Sequence, residues 1–178
     1  MQEVSVIIPN FNGMAYLDGV LAGLECQSVN NFEVILVDNG SSDGSCAFVA
    51  ARYPWVHLIE LPENFGFCKA VNEGIKASRA PYVLLLNNDI EVTENFIEEM
   101  IFAIKRHPKA FSCAARMIQF HDRDKLDDAG NYYCALGWAY ARGKGKDIHI
   151  YEKEEKIFAS CAGAAIYRKK IFDKIGYF

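Results

Sequence analysis

The groups in this chain able to do chemistry stand just after short apolar runs. Asn10-Phe11-Asn12-Gly13 follows Val4–Ile8, Asp38-Asn39-Gly40-Ser41-Ser42-Asp43-Gly44 follows Val34–Val37, and Asn87-Asn88-Asp89 follows Tyr82–Leu86. In an open parallel sheet the carboxyl ends of the strands share one edge, so the three clusters are expected to meet in a single crevice. Asp38, fixed at a strand end, can accept a hydrogen bond from a base N–H or a ribose hydroxyl. Asp89 offers a hard oxygen ligand, and a divalent ion on a diphosphate needs only one or two carboxylates beside its waters. The amides and glycines around them let a bulky polar ligand approach the backbone. Each cluster alone is also good turn chemistry, in which Asn, Asp and Ser bond to local backbone. Their combination favours a ligand site, and a sugar nucleotide with its metal fits it.

A fourth segment, Glu63-Asn64-Phe65-Gly66-Phe67-Cys68-Lys69, reads as a turn at Asn64 and Gly66 entering a helix. Helix N-termini favour anions, and Lys69 would add a point charge there, although a helical lysine is also a common surface residue. Other phosphate-binding patterns are disfavoured. The first strand end carries one glycine where a dinucleotide fold needs several, and no Gly-x-x-x-x-Gly-Lys-Ser/Thr stretch occurs. Gly143-Lys144-Gly145-Lys146 neither follows a strong strand nor ends in a hydroxyl residue, so a solvated loop is expected there.

The elements that must position these groups alternate. Strands are expected at Val4–Ile8, Glu33–Val37, Val56–Leu61, Tyr82–Leu86 and Phe111–Met117, with the nearly continuous apolar runs of strands covered on both faces. Leu17, Val20, Leu21 and Leu24 recur at the spacing of an amphipathic helix, as do Ile97, Met100, Ile101 and Ile104. Residues 43–53 and 67–78 read as the remaining helices, with Ser42 or Asp43 as a cap for the first. The pattern is that of an α/β domain with a mostly parallel sheet. Beyond residue 118 the chain turns polar and then rich in Tyr, Gly and small residues. This stretch is expected to form a loop-rich annex, with short strands around 132–140 and 157–167, a charged solvated loop at Asp127 and Asp128, and a final helix over 168–175. One domain is expected, with residues 1–118 binding nucleotide and residues 119–178 forming the annex.

The 178 residues are 51% apolar and 24% charged, with a formal net charge of −4, which fits a folded domain rather than disorder and argues against a nucleic-acid partner. Six cysteines occur without a Cys-x-x-Cys pair, so buried thiols in a reducing cytoplasm are expected rather than a zinc site or a disulfide framework. No apolar run reaches the roughly 18 residues of a membrane span, and the first strand begins too early for a signal peptide.

Taken together, the stretches 4–12, 34–44, Asn64-Phe65-Gly66-Phe67, Asn72-Glu73-Gly74-Ile75, Leu86-Asn87-Asn88-Asp89 and 161–168 resemble, in order and spacing, the family 2 glycosyltransferases. Within that family the likeness is to the rhamnosyltransferase-like branch of cell-surface polysaccharide assembly. The resemblance implies a GT-A fold, a Rossmann-like, mostly parallel sheet flanked by helices. It implies an inverting transfer of a sugar from a nucleotide-diphosphate sugar to a saccharide or lipid-linked saccharide acceptor, on the cytoplasmic side and with peripheral membrane association as an option. Pro9, Asn10, Phe11, Asn12, Asp38 and Asn39 would hold the nucleoside, with Asn64, Gly66, Lys69 and Asn88 near the base or diphosphate. Asp89 matches the last carboxylate of the family's Asp-X-Asp motif and would ligate Mg²⁺ or Mn²⁺. Asn87 replaces the first, leaving one carboxylate. Gly163 and Ala164 would floor the site for donor sugar and acceptor, and Arg168-Lys169-Lys170 could face an anionic lipid diphosphate. The family's general base follows a segment like 172–178, so the acceptor side is expected to be incomplete at its C-terminal end. The rivals are a sugar-nucleotide-binding module without transfer and a regulatory domain binding only metal.

Overall fold

The computed structural model describes residues 2–178. It is an α/β sandwich around a six-stranded sheet. The first half alternates strictly: β1 (Val4–Asn10), α1 (Met14–Glu25), β2 (Phe32–Asp38), α2 (Ser45–Arg52), β3 (His57–Glu60), α3 (Phe67–Ala77), β4 (Tyr82–Leu86), α4 (Phe96–Arg106) and β5 (Ser112–Ala114). Then come β6 (Met117–Ile118), β7 (Leu126–Asp128), β8 (Asn131–Tyr133), β9 (Ala139–Ala141), β10 (Ala164–Arg168) and α5 (Lys169–Ile175). The order across the main sheet is β3-β2-β1-β4-β10-β5. The four strands β1 to β4 run parallel, while β10 lies antiparallel to both β4 and β5.

The continuous apolar strands are explained by the layers on either side. Val4, Val6 and Ile8 of β1 point into one core with Leu17, Val20, Leu21 and Leu24 of α1 and Ile97 and Ile104 of α4. The intervening Ile7 points the other way, to Val71 and Ile75 of α3 and Phe172 of α5. Alternate residues of one strand thus serve opposite layers, and both faces must be apolar. Gly74 lets α3 approach closely, because a Cβ there would overlap the Ile7 side chain and lie 3.2 Å from Val37.

The four first strands and both amphipathic stripes lie where the sequence puts them. Four expectations change. The run 111–117 is broken: Ser112–Ala114 joins the main sheet, and Met117–Ile118 leaves it to pair with β7. Neither Ser42 nor Asp43 caps α2, whose N-cap is Gly44 at φ +88°; the Asp43 carboxylate instead accepts from Met14 N (2.9 Å) and Ser45. The short strands expected around 132–140 are present as the hairpin of β8 and β9, whereas of 157–167 only the closing residues are strand. That strand, β10, enters the centre of the main sheet, so a break in composition at residue 118 is not a break in structure. The cysteines also differ from expectation: Cys26 and Cys68 are exposed and the other four only partly covered, all six being free thiols.

Candidate active site

β1, β2 and β4 are adjacent and parallel, so the peptides after Asn10, Asp38 and Leu86 emerge at one edge. Asn10 occupies the centre. It is 2% exposed, and its Nδ2 donates to Asp38 Oδ1 (2.8 Å), with Ser45 Oγ at 3.1 Å and Ser41 Oγ at 3.3 Å. Its Oδ1 accepts from Asn88 Nδ2 at 2.8 Å. The chain Asp38–Asn10–Asn88 therefore ties all three strand ends together, and Asp89 is the next residue. The sequence clusters do share one rim.

Asp38 is 2% exposed. Its Oδ1 also accepts from Ser41 Oγ (2.6 Å) and its Oδ2 from Ser41 N (2.8 Å). Burial alone would raise its pKa, but the Ser41 hydroxyl and N–H, the Asn10 amide and the Cys46 thiol together outweigh that and hold it below the usual carboxylate value. Beside it, burial and then the Asp38 carboxylate push the Cys46 thiol up to about 12, so the thiol stays protonated and can only donate. Four donors, the Ser41 hydroxyl and N–H, the Asn10 amide and the Cys46 thiol, occupy the carboxylate, and the thiol is the weakest of them.

Asn39 extends the frame sideways. Its Nδ2 donates to Asn64 Oδ1 (2.8 Å) and its Oδ1 accepts from Phe65 N (3.0 Å), while Asn64 Oδ1 also accepts from Gly66 N (2.9 Å). This fixes the loop into α3 against the end of β2. Gly40, at φ +78°, permits the contact, since a Cβ there would come within 2.6 Å of the Glu63 backbone. Asn12, at φ +50°, accepts from Ser42 N (2.9 Å) and its own N–H donates to Ser41 Oγ (2.8 Å). Asn10, Asn39 and Asn64 thus spend their amides on the protein; they shape the crevice more than they offer groups to a ligand.

Other expected residues sit around this frame. Pro9 is partly covered at the end of β1, and Phe11 is 48% exposed, an open aromatic face at the rim. Asp89 is exposed and has no hydrogen bond or ion pair among the described residues. Lys69 is exposed but pairs with Glu73 (2.8 Å), which Lys76 shares (3.1 Å). Gly163 lies beside the motif: its carbonyl accepts from Asn87 N (2.8 Å), and a Cβ on it would stand 3.6 Å from Asn87 Nδ2. Ala164 is a correction. It pairs with Leu86 and its methyl is buried in the main core, so its side chain cannot line a sugar site.

Two further expectations also fail. Arg168-Lys169-Lys170 lies at the far end of the sheet, since Arg168 pairs with Tyr82 at the start of β4. There Arg168 donates to the carbonyls of Ile104 (2.5 Å) in the last turn of α4 and of His107 (3.1 Å) and Ala110 (2.9 Å) beyond it, and Lys169 to that of Ser78. Arg168 and Lys169 thus form a structural clamp, while Lys170 is exposed. Asp128 is not in a solvated loop but buried in β7, where its Oδ1 accepts from Gly130 N (2.6 Å). Residues 143–146 do form a turn, with Lys146 N bonded to Gly143 O (2.8 Å) and Gly145 N to Leu126 O (2.8 Å), so those amides face protein.

The residues that sequence reasoning missed are those of the frame: Ser41, Ser45, Asp43 and Gly13. The first three were visible as turn formers, but nothing in their order tells that they bond to another strand's loop. Gly13 stands in the first cluster without a role. Its φ of −101° suits any residue, yet a Cβ would overlap Asn88 Nδ2 and Asn10 Oδ1. It is a matter of space.

No group of three His, Cys, Asp or Glu capable of holding a metal occurs among the described residues. The donor set is one free carboxylate at the rim, which fits a hydrated Mg²⁺ or Mn²⁺ shared with a diphosphate and does not fit an all-protein cage.

A mostly parallel sheet of this order, flanked by helices and with a polar rim ending in an exposed carboxylate after β4, is the architecture of a GT-A glycosyltransferase domain. The sequence profile described as glycosyl transferase family 2 matches residues 5–176, and the chain belongs to that family. Glycosyltransferase GlyG of Streptococcus pneumoniae serotype 4 is 29% identical over 133 residues, covering 73% of this chain and 39% of that protein. The putative teichuronic acid biosynthesis glycosyltransferase TuaG of Bacillus subtilis is 27% identical over 128 residues, covering 70% and 50%. The chain thus spans half or less of the length of these relatives. Among solved structures, S. aureus TarS 1–349 in complex with UDP-GlcNAc superposes with a TM-score of 0.73 at 21% identity, over 99% of this chain and 48% of that one. The mannosyltransferase PcManGT of Pyrobaculum calidifontis, in complex with GDP-Man and Mn²⁺, gives 0.70 at 16% identity, over 99% and 47%. Both show the same fold.

Proposed function

We propose that this domain binds a nucleotide-diphosphate sugar at the β1–β2–β4 rim and serves its transfer, with inversion, to a hydroxyl of a saccharide or lipid-linked saccharide. The carrying observation is the hydrogen-bonded chain Asp38–Asn10–Asn88, which brings a base-side carboxylate and a diphosphate-side carboxylate into one crevice. Asp38 takes a donor hydrogen of the nucleoside in place of its weakest protein donor, the Cys46 thiol, and Phe11 offers its exposed face to the base. Asn39, Asn64 and Gly66 set the width of the slot. Asp89 would hold Mg²⁺ or Mn²⁺, an ion that would supply charge stabilisation to the leaving group. Glycosyl transfer passes through an oxocarbenium-like state, so stabilising the leaving diphosphate carries much of the rate. Lys69 contributes to the diphosphate by leaving Glu73, an exposed pairing of small worth. Residues 1–118 form the donor side, and 119–178 form the acceptor side around Gly163 while lending β10 to the sheet.

One relative is named for teichuronic acid biosynthesis, and that name supports our reading of a role in cell-surface polysaccharide assembly; a place at the inner face of the membrane is part of the same proposal. None of the helices among the described residues is long and apolar enough to cross a membrane. A thermal-shift panel of nucleoside diphosphates and their sugars, with and without Mn²⁺, tests the reading, because selective binding raises the melting temperature by mass action. Asp89→Ala is expected to lower Mn²⁺-dependent donor affinity by about 100-fold or more, beyond the effect of losing an outer-shell partner. Equal metal dependence in this variant would refute the assignment.

A further inference from the structure

Asn88 stands among the residues expected to touch ligand, but its surroundings assign it a different task. Its Nδ2 donates to Asn10 Oδ1 at 2.8 Å. Asn10 is itself immobilised, being 2% exposed with its Nδ2 spent on Asp38, Ser45 and Ser41. One residue earlier, Asn87 N is bonded to Gly163 O at 2.8 Å. The peptide before Asp89 is therefore held at two consecutive residues, from two different loops. Asp89 itself is exposed and has no partner among the described residues. The sequence also reserves room for the Asn88–Asn10 bond: Gly13 has a backbone conformation open to any residue, but a Cβ there would overlap both bonded atoms.

We infer that Asn88 is a positioning residue: its bond to Asn10 aims the Asp89 carboxylate, so that the base-binding and metal-binding ends of the site are built as one unit. This rests on the reading of Asp89 as the metal ligand given above. A lone carboxylate on a free strand end would sample many directions, and each lost rotamer would weaken metal binding. With the preceding residue locked, that cost is met in folding. The same bond links the metal end mechanically to Asp38.

The experiment is calorimetric titration of the 178-residue chain with UDP and, in parallel, GDP, each in Mn²⁺ and in EDTA. The readout is the Mn²⁺-dependent gain in affinity, a quantity that general loosening of the fold would not select. Asn88→Ala should cut that gain by roughly 10- to 100-fold, the usual effect of an outer-shell partner, a larger factor than any loss of affinity it causes in EDTA. Asp89→Ala should abolish the gain. The double variant should match Asp89→Ala alone, since a residue acting only through Asp89 has nothing more to remove. Gly13→Ala presses on the same bond from the other side and should reproduce the loss if Asn88→Ala does not fold. An Asn88→Ala protein with the full Mn²⁺ gain, or a double variant weaker than Asp89→Ala by the full Asn88→Ala factor, overturns the positioning role alone. A gain that survives in Asp89→Ala, or binding of neither nucleotide, overturns the donor-site reading and this inference with it.

Discussion

Asp38 and Asp128 are both carboxylates with almost no exposed surface, 2% and 5%, yet their environments push them in opposite directions. Asp38 lies at the rim among donors from three residues and its pKa is held below the ordinary value. Asp128 lies in the annex with one backbone N–H, and its pKa is raised: burial leads, the Gly130 N–H opposes it, and the neighbouring Asp127 charge adds to it. The wider regions differ in the same way. At the rim, amides and hydroxyls bond loop to loop between adjacent strands. The annex holds two-residue and three-residue strands, and its aromatics Tyr133, Trp138 and Phe158 are 54%, 60% and 69% exposed. Its buried Arg142 stacks on Tyr151 at 3.8 Å and pairs with the exposed Glu155, while its Nε has no partner. A buried charge is tolerated where enough donors converge on it, and is a burden where they do not.

Substitutions can break or sharpen this contrast. Asp38→Asn should have the largest effect on stability, about 1.5–3 kcal/mol, because it removes charge-assisted bonds and turns an amide N–H toward other donors; chemical denaturation at neutral pH measures it. Since the folded pKa of Asp38 is depressed, its contribution is full above the ordinary value of 3.8 and is lost as pH falls through the lower folded value. Asp128→Asn should go the other way, stabilising by about 1 kcal/mol at pH 7, the scale of a relieved charge conflict. The gain should shrink on acidification, as the raised pKa is crossed and the native carboxyl becomes neutral anyway, and vanish near pH 3.8. A destabilised Asp128→Asn at pH 7 would erase the distinction between the two sites. Trp138→Ala should be the smallest, within about ±0.5 kcal/mol in thermal unfolding, as befits an exposed side chain.

The order of elements was legible because layer packing leaves a plain periodicity: Leu17, Val20, Leu21 and Leu24 could hardly be anything but one helix face. The convergence of Asn10, Asp38 and Asn88 was legible for a related reason, since strand ends in a parallel sheet have one edge to go to. The partners of those side chains were not. Ser41 reaching back to Asn12, or Asn39 reaching Asn64, depends on loop geometry that local propensity does not encode. Failure was greatest where pairing is long-range and antiparallel. Ala164–Arg168 finds Leu86–Tyr82 across nearly half the chain, and although a short strand was legible near 157–167, no local signal tells that it enters the main sheet. Ala164 was misread for the same reason, as a lining residue rather than a core methyl.

β10 carries a consequence for how the protein is made. It alone joins β5 to the sheet, and it follows the other five strands of that sheet in chain order. Until the ribosome has released residues 164–168, the flank of β4 is an open edge of apolar strand, and β5 has no sheet to join. Such an edge is a template for pairing with other chains. The main sheet therefore waits for β10, which pairs with β4 and brings β5 in with it, and slow translation upstream of Ala164 is where misassembly would start.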